Sequence, residues 1–165
     1  MSPSTWTLEI ESPAPAARLF KALLDWHNLA PKLLPNIVAS AAGVQGDGSV
    51  GSVRQLNFTS GVGAIFAAMP FGYVKERLDF VDFDKFECKH SLVEGGDLGK
   101  KIESASTQFK FEQTSKGGCV CKVVTTYKPL PGVENKDEVA KGKEAVTGTI
   151  KAAEAYLLAN PGAYA

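Results

Sequence analysis

The sequence predicts an α+β fold in which an antiparallel sheet packs against one long helix near the C-terminus. Residues 6–11 alternate as a half-buried strand does, with Trp6, Leu8 and Ile10 on one side. Residues 37–127 contain several valine- and phenylalanine-rich runs separated by glycine turns, and residues 135–160 have helical composition. Because the strands follow one another without long helices between them, parallel βαβ units are excluded.

The composition is that of an ordinary globular domain. The chain has 165 residues, of which 44% are apolar and 22% charged, so we expect one domain spanning residues 1–165. Lysine plus arginine (18) equals aspartate plus glutamate (18), which weakens any function that needs a positive field for nucleic acid or anionic lipid. No uncharged apolar run reaches the length of a membrane span, so no membrane partner is expected.

The N-terminus and the cysteines indicate the compartment. Residues 1–10 have neither the basic cluster nor the apolar core of a secretory signal, so we expect a cytoplasmic protein. Three cysteines cannot all pair within one chain, and no metal-binding spacing such as CxxC is present. We therefore expect reduced thiols, no metal and no cofactor.

Two short helices are predicted after the first strand. Ser12 followed by Pro13 is typical of an N-cap with proline in the first turn, and apolar residues then recur at helical spacing up to Leu24. A second helix is predicted at residues 26–34, with Pro31 near its start and Pro35 at its end.

Roughly six strands are predicted next. Several antiparallel strands fall within residues 37–83, and three more at residues 86–93, 102–112 and 120–127. The pairs Gly95-Gly96 and Gly117-Gly118 mark the turns between the later strands.

The terminal helix has a thin apolar stripe. Asn135 and Glu138 have capping-box spacing at its start, and the helix is about 35 Å long at 1.5 Å per residue. Its apolar residues are mostly small, and Gly142 and Gly148 lie inside it although each costs about 1 kcal/mol relative to alanine. This pattern hints at an internal cavity; the alternative is close packing against bulky sheet residues.

A glycine-rich loop matches the pattern GxGxxGxV. Its residues are Gly46, Asp47, Gly48, Ser49, Val50 and Gly51, followed by Ser52 and Val53. A strand rather than a helix follows, which excludes a dinucleotide-binding loop, and the chain lacks the HRD and DFG motifs of a protein kinase. Consecutive amides of this loop could form a nest for phosphate; the alternative is a tight hairpin connection.

Five motifs in a fixed order resemble one plant protein family. They are Trp-Thr-Leu-Glu-Ile near the N-terminus, the glycine-rich loop, Lys-Glu-Arg-Leu-Asp at residues 75–79, Leu-Val-Glu-Gly-Gly at 92–96 and Ala-Tyr-Leu-Leu-Ala-Asn at 155–160. Over the whole chain they resemble the class-ten pathogenesis-related proteins, the family of the major birch pollen allergen, with a monocot-like N-terminus. The resemblance implies a helix-grip (Bet v I/START-like) fold: a seven-stranded antiparallel sheet around a long C-terminal helix, two short helices after the first strand, and a large cavity.

The same resemblance implies which residues contact a ligand in that cavity. We expect an amphipathic plant metabolite, such as a cytokinin, a flavonoid or a sterol-like molecule, against Leu56, Phe58, Phe71, Tyr73, Cys88, His90, Phe109, Cys121, Val123 and Ile150. His90 is the sharpest candidate, because relatives commonly have tyrosine there and an imidazole can donate or accept a hydrogen bond. The alternative is a histidine satisfied by a neighbouring backbone group.

A ribonuclease acting in defence is the second function that the resemblance implies, with RNA as partner. The residues proposed in relatives correspond here to Glu103, Glu154, Tyr156, Arg54 and His90. RNA cleavage needs a base, an acid and a cation that stabilises the phosphorane, which Glu154, His90 and Arg54 could supply. Against this, the balanced charge offers no phosphate track, and Glu154 could be an ordinary solvated helix residue.

A third function, condensation of amines with aldehydes, is the least favoured, because no lysine lies on the predicted inward rows.

One segment departs from the family. An apolar loop at residues 61–69, from Gly61 to Met69, replaces a short hairpin connection, and we expect it to fold over or beside a cavity entrance. We expect a monomer, with a dimer through this loop as the alternative.

Overall fold

The computed structural model describes residues 3–59, 72–134 and 136–165. Its strands are β1 (Ser4–Ser12), β2 (Val38–Gln45), β3 (Val53–Phe58), β4 (Tyr73–Asp82), β5 (Glu87–Gly95), β6 (Ile102–Gln113) and β7 (Cys119–Pro129). Its helices are α1 (Ala16–Leu24), α2 (Trp26–Leu33) and α3 (Lys136–Ala159). The order of elements confirms the predicted α+β class. The apolar loop at residues 61–69 lies outside the described residues.

The seven strands form one antiparallel sheet in the order β1-β7-β6-β5-β4-β3-β2. From β2 to β7 each strand pairs with its neighbour in sequence, whereas β1 pairs with β7, so that Ser4 lies opposite Tyr127 and Ser12 opposite Cys119. One face of this sheet carries the buried residues of every strand. This inner face is covered by the three helices.

The predicted start of α1 is wrong. The helix begins at Ala16 with Pro15 at the N-cap position, three residues later than expected. Pro15 provides no side-chain cap, and the amide of Ala16 donates instead to Gln113 Oε1 of β6 at 2.9 Å. Ser12 instead accepts a hydrogen bond from the amide of Ala14 at 3.2 Å, within the turn that leaves β1. Ser12, which precedes Pro13, therefore stabilises a turn instead of capping a helix.

Pro31 is the sixth of the eight residues of α2 and so lies near its end rather than near its start. A proline has no amide hydrogen, so the carbonyl of His27 loses the intrahelical bond that residue 31 would provide. The helix nevertheless continues to Leu33, two residues before Pro35.

None of the helices among the described residues is long and apolar enough to cross a bilayer.

An aromatic cluster anchors α1 on the sheet. The ring of Phe20 lies 5.7 Å from that of Phe83, 5.8 Å from that of Phe86 and 6.2 Å from that of Phe111, measured between centroids. These tilted and edge-on contacts are favoured by the ring quadrupoles. They fix α1 against the β4–β5 turn and β6.

Arg18 joins α1 to the C-terminal segment that follows α3. Its Nε donates to the carbonyl oxygen of Ala163 at 3.0 Å, and its Nη2 donates to those of Asn160 at 2.8 Å and Leu157 at 3.1 Å. A cation at the carbonyl end of a helix is favourable, because the free carbonyls there carry partial negative charge. This contact holds the chain end beside α1.

The helix α3 approaches β1 closely at Gly142. A Cβ built on Gly142 would lie 3.3 Å from Cζ2 of Trp6, which is tight for a carbon contact. A glycine at this helix position therefore lets the indole of Trp6 on β1 lie against the helix backbone.

Of the two residues predicted to form a capping box at the start of α3, the one at position 135 lies outside the described residues. The other, Glu138, accepts a hydrogen bond from Lys101 Nζ at 2.7 Å.

Candidate functional site

The interior between α3 and the sheet is closed in one half and open in the other. In the closed half, Ile150, Ala153 and Leu157 of α3 are at most 2% exposed. In the open half, the inward side chains of β1, β3, β4 and the first half of α3 are only partly buried: Trp6, Leu8, Phe58, Val74 and Val146. Solvent therefore reaches the inner face beside the first half of α3, where a close-packed core would exclude it.

Most of the predicted ligand-contacting residues lie on this inner face or on α3. The fully or almost fully buried members are Leu56, Cys88, His90, Phe109, Cys121, Val123 and Ile150. Phe58 is partly buried against the same core. Phe109 and Phe111 are stacked with their ring centroids 6.4 Å apart. Alternation grouped residues such as Cys121 and Val123 on one side of a strand, and the family resemblance implied that this side is the inner one.

Two predicted ligand contacts do not join this set. Phe71 lies outside the described residues. Tyr73 is hydrogen-bonded to the exposed Glu94, with 2.8 Å between its hydroxyl and Oε2, and this bond raises the pKa of Tyr73. Val74, the next residue of β4, packs against the core instead. Since side chains alternate along a strand, Tyr73 occupies the outer face.

A second, more polar space adjoins the inner face near the glycine-rich loop. This pocket has a volume of about 630 Å³ and lies between the α1–α2 junction, the loop and the inner face of β3, β4 and β5. Its lining comprises Lys21, Leu24, Asp25, His27, Asn28, Gly43, Gln45, Gly46, Asp47, Gly48, Ser52, Val53, Arg54, Glu76, Leu78, His90 and Tyr164. We call it the junction pocket. Its volume is within the range of small-molecule sites.

Arg54 forms part of the floor of the junction pocket and is itself fixed. Its Nε donates to Glu76 Oε1 at 3.1 Å, and its Nη1 donates to the carbonyl oxygen of Leu23 at 2.9 Å. Leu23 lies in the last turn of α1, so the guanidinium also stabilises the carbonyl end of that helix. The side chain is buried, and its charge is compensated by Glu76.

His90 lies on β5, lines the same pocket as Arg54 and is 5% exposed. Burial, together with the positive charge of Arg54, holds the pKa of His90 well below its ordinary value of 6.5, so the imidazole is neutral at neutral pH. Its Nδ1 is buried and has no hydrogen-bond partner among the described residues. The alternative considered from the sequence, a backbone partner, is therefore absent at Nδ1.

His27 lines the same pocket from α2. Its pKa is lowered by burial and by Arg54, while Asp25 opposes the shift. Its Nδ1 is likewise buried without a partner among the described residues. Asn28 Nδ2 lies 3.4 Å from His27 Nε2.

The chain end completes the pocket wall. The hydroxyl of Tyr164 donates to Asp25 Oδ2, and burial with this bond raises the pKa of Tyr164 far above its ordinary value. Asp25 Oδ1 also accepts from Asn28 Nδ2 at 2.5 Å. The Arg18 contacts with the C-terminal segment bring Tyr164 to this position.

The glycine-rich loop uses its own amides. Four of them donate within the protein: Gly48 N to Ser52 Oγ (2.8 Å), Ser49 N to Asp47 Oδ1 (3.0 Å), Gly51 N to the Leu78 carbonyl (2.7 Å) and Ser52 N to the Ser49 carbonyl (2.9 Å). The hydrogen bonds from Ser49 lower the pKa of Asp47, which keeps a negative charge in the loop. Val50 at the tip is exposed. This geometry favours the hairpin interpretation over the phosphate nest.

Two of the residues suggested for RNA cleavage lie apart from Arg54 and His90. Glu103 is exposed on β6 and pairs with Lys128 at 3.0 Å. Tyr156 on α3 lies under Lys32, whose Nζ is 4.8 Å from the ring centroid. Neither residue lines the junction pocket.

Glu154 is not the solvated helix residue considered as an alternative. It is 8% exposed and accepts a hydrogen bond from Ser12 Oγ at 3.2 Å, while Lys151 Nζ lies 3.1 Å from its Oε2. It also does not line the junction pocket. The structure therefore gives Glu154 a buried contact with the end of β1 and separates it from Arg54 and His90.

The three cysteines are free and buried. Burial raises the pKa of Cys88 to about 12 and that of Cys119 to about 11. Such thiols are poor nucleophiles at neutral pH. Among the described residues, no group of three or more histidine, cysteine, aspartate or glutamate side chains could hold a metal ion.

Sequence reasoning missed half of the junction pocket. It singled out Arg54, His90 and the loop but not His27, Glu76, Asp25 or Tyr164. The available signal was that the chain has only two histidines, one of which follows the tryptophan of a short helix. Bringing that helix, β4 and the chain end together requires the tertiary fold, because no motif spacing connects them.

Comparison with known proteins gives consistent matches over nearly the whole chain. The family model described as "Pathogenesis-related protein Bet v 1 family" matches residues 1–160. Over 165 residues the chain is 55% identical to "Pathogenesis-related protein 1" of Asparagus officinalis, with 99% of each chain covered. Over 158 residues it is 39% identical to "Major pollen allergen Bet v 1-M/N" of Betula pendula, with 94% of each chain covered.

Solved structures show the same fold. The crystal structure of Ara h 8.0201 aligns with a TM-score of 0.77 at 30% identity, covering 96% of this chain and 100% of that chain. Norcoclaurine synthase from Thalictrum flavum, solved in complex with dopamine and hydroxybenzaldehyde, aligns with a TM-score of 0.79 at 22% identity, covering 96% and 88%. The latter likeness concerns the fold alone.

Proposed function

Because the chain belongs to the pathogenesis-related Bet v 1 family, a defence-related family whose fold is known for ligand binding, we propose that it binds small amphipathic plant metabolites. The candidates are cytokinins, flavonoids and sterol-like molecules, and the proposed compartment is the cytoplasm. The observation that carries the proposal is the open half of the interior, where inward apolar side chains remain partly exposed beside the first half of α3. An apolar ligand would cover this surface and gain hydrophobic free energy.

The two spaces suit the two ends of an amphipathic molecule. The inner face offers apolar walls, and the adjoining junction pocket offers imidazole, guanidinium and carboxylate groups. Mostly apolar walls with a few fixed polar groups are what a small-molecule site needs. No chemical step is required of the protein for this function.

The test is a titration with the neutral fluorescent probe N-phenyl-1-naphthylamine, followed by displacement with candidate hormones and flavonoids. We expect saturable enhancement of fluorescence at micromolar protein, and competition by the true ligand class. Absence of saturable binding would sink the proposal.

A pair of valine substitutions locates the site. Val146 is partly buried on α3 and packs against the core, whereas Val124 is 37% exposed on β7. Val146→Trp should fill the open half and weaken probe binding at least tenfold. Val124→Trp is the matched control and should leave binding unchanged. Equal effects of the two variants would place the probe elsewhere.

Ribonuclease activity is a second candidate, because Arg54, His90 and His27 line one open pocket. Two imidazoles beside a cation contain the groups that general acid–base cleavage of a phosphodiester uses. Against it, the lowered pKa of each histidine removes the protonated imidazole that would act as the acid. In contaminant-free protein, His90→Phe and His27→Phe should abolish cleavage while Glu103→Gln leaves it unchanged. Activity that survives both histidine substitutions would come from another site or another protein.

Amine–aldehyde condensation has no support at the described residues. Every described lysine is half-buried or exposed, so no buried amine faces the interior. The structural likeness to norcoclaurine synthase is at 22% identity and does not carry that chemistry.

A further inference from the structure

The glycine-rich loop contains the one Asp-Gly pair of the chain, Asp47-Gly48, and the chain has no Asn-Gly pair. Such a pair is chemically reactive, because glycine has no side chain to shield its amide nitrogen from the carboxyl group of the preceding aspartate. Both residues are exposed, in the hairpin that joins β2 and β3. A Cβ built on Gly48 would meet nothing within 4 Å, so packing does not shield the amide either.

The reaction open to this pair is an isomerisation that needs only water. The nitrogen of Gly48 bonds to Cγ of Asp47 and loses its proton, and one oxygen of the protonated carboxyl group leaves as water, which closes a five-membered succinimide ring. Water then opens the ring. Addition at Cγ restores aspartate, whereas addition at the α-carbonyl carbon breaks the bond from that carbon to nitrogen and leaves isoaspartate, in which the chain runs through Cβ and Cγ. Nothing is oxidised or reduced, and the composition is unchanged.

Hydrogen bonds hold both reacting groups in the folded loop. The N–H of Gly48 donates to Ser52 Oγ at 2.8 Å. Oδ1 of Asp47 accepts from the amide of Ser49 at 3.0 Å and from its hydroxyl at 2.5 Å. These donors favour the ionised carboxylate and lower the pKa of Asp47, whereas ring closure consumes the protonated form. Rotation of the two groups into a ring breaks the contacts with both serines.

Ser52 is itself fixed between the loop and β4. A Cβ built on Gly46 would clash with Ser52 Oγ, so this hydroxyl lies directly against the start of the loop. The carbonyl oxygen of Ser52 accepts from the amide of Leu78 at 2.9 Å, and the amide of Gly51 donates to the carbonyl oxygen of Leu78 at 2.7 Å. The acceptor of the Gly48 amide is therefore anchored to the sheet.

We propose that Asp47 is a site of spontaneous isomerisation to isoaspartate, and that Ser49 and Ser52 restrain the reaction while the loop is folded. This inference goes beyond the proposed function and does not depend on it. Isomerisation adds one carbon to the backbone between Gln45 and Val53, which lie opposite each other in the β2–β3 ladder. The product carries an exposed α-carboxylate, the group that an isoaspartyl carboxyl methyltransferase modifies.

The experiment follows isoaspartate in the full chain at pH 7.4 and 37 °C, either folded in buffer or unfolded in guanidinium chloride. Samples freed of denaturant are quantified by enzymatic carboxyl methylation, and electron-transfer fragmentation of the tryptic peptide covering residues 33–54 locates the product. We expect isoaspartate at Asp47 but not at Asp84, an exposed aspartate followed by lysine, and formation at least tenfold slower in the folded protein. Isoaspartate confined to other positions, or equal rates in the two states, would overturn the proposal.

Two variants test the serines separately. Ser52→Ala removes the acceptor of the Gly48 amide, and Ser49→Ala removes one donor to the carboxylate. Each should raise the rate in the folded protein about threefold to tenfold, the effect of one hydrogen bond, and leave the rate in guanidinium chloride unchanged. Ser115→Ala, in the exposed turn between β6 and β7, is the matched control and should change neither rate. Unchanged folded-state rates in both loop variants would contradict the proposal.

A further variant separates the local contacts from overall stability. Ser12→Ala removes the buried contact with Glu154 on β1, at the opposite edge of the sheet from the loop. If it raises the rate at Asp47 as much as Ser52→Ala does, the protection comes from overall stability and the assignment to the serines is wrong. If a loop variant does not fold, the other loop variant and the ratio of folded to unfolded rates in the unsubstituted protein decide the question.

Discussion

The hydroxyl of Ser12 donates a hydrogen bond to Glu154 Oε1 at 3.2 Å, and both residues are buried. This contact joins the last residue of β1 to α3, and Ser12 Oγ also accepts from the amide of Ala14. Ser12 was predicted to cap a helix and Glu154 was suggested for catalysis, yet the two residues contact each other. The contribution of this contact to the free energy of unfolding can be measured.

Ser12→Ala should lower the free energy of unfolding by about 1–2 kcal/mol, because it removes both hydrogen bonds and leaves a buried carboxylate with fewer donors. Glu154→Gln should cost less, since the amide oxygen still accepts from Ser12. Glu103→Gln, at an exposed carboxylate, is the control and should change stability by less than about 0.5 kcal/mol. Urea unfolding measures all three; a Ser12→Ala value equal to the control would show that the contact contributes nothing.

Gly46 and Gly48 provide a test of the loop geometry. Both have positive φ, 84° and 99°, but a Cβ on Gly46 would clash with Ser52 Oγ whereas one on Gly48 meets open space. Gly48→Ala should therefore show only the backbone strain, about 1 kcal/mol. Gly46→Ala should destabilise the protein further and displace Ser52, visible as changes in the Ser52 and Leu78 amide signals. Equal thermal shifts in the two variants would contradict this loop geometry.

Gly142→Ala tests the contact between α3 and Trp6. Alanine is favoured over glycine inside a helix by about 1 kcal/mol, but here its Cβ would lie 3.3 Å from the indole. We expect the substitution to gain much less than this amount in the natural background and the full amount when Trp6 is replaced by alanine. A double-mutant cycle in urea gives the coupling between the two positions. Coupling near zero would mean that the indole moves aside freely.

The buried histidines predict a pH dependence of stability. A histidine whose pKa is lowered by folding binds its proton more readily in the unfolded chain. The contribution of such a histidine to the free energy of unfolding is therefore fully present above pH 6.5, the ordinary pKa. It decreases as the pH falls below that value. For His90 the loss approaches about 1.4 kcal/mol per pH unit.

Urea unfolding at pH 7.5, 6.5 and 5.5 checks this dependence. The protein has two histidines, so His90→Phe should reduce the slope between pH 6.5 and 5.5, and His27→Phe should reduce the remainder. The carboxylates with lowered pKa, such as Glu138, lose their contribution only at more acidic pH. A wild-type stability that is flat over this range would show that both imidazoles are already charged or exposed.

Much of the fold followed from periodicity. The alternation of Trp6, Leu8 and Ile10 identified β1, and the same period grouped Cys121 with Val123 on one side of their strand. The family resemblance implied that this side faces the interior. Tyr73 was misplaced because the strand begins directly after a glycine and a long apolar segment, where no alternating pattern fixes the register. One position of error moves a side chain to the other face.

The site was only partly predictable. Arg54 and His90 lie on strands whose direction the pattern gives, but His27 and Tyr164 reach the pocket through helix packing and through the contact of Arg18 with the chain end. These contacts join segments that are distant in sequence and have no characteristic spacing. The prediction of where α1 begins failed for a local reason, because a serine before a proline can stabilise a turn as well as cap a helix.

The pairing of β1 with β7 determines when the sheet can be completed during folding. Among the described strands, β1 pairs only with β7. Its pairing is therefore delayed until the ribosome has synthesised β7, which follows most of the chain. Contacts between such distant segments slow folding, typically to between roughly milliseconds and seconds for sheet-rich domains. The nascent chain therefore carries an unpaired N-terminal strand with Trp6, Leu8 and Ile10 uncovered. Until β7 is available, these side chains are open to non-native contacts, which is a general hazard for strands that pair late.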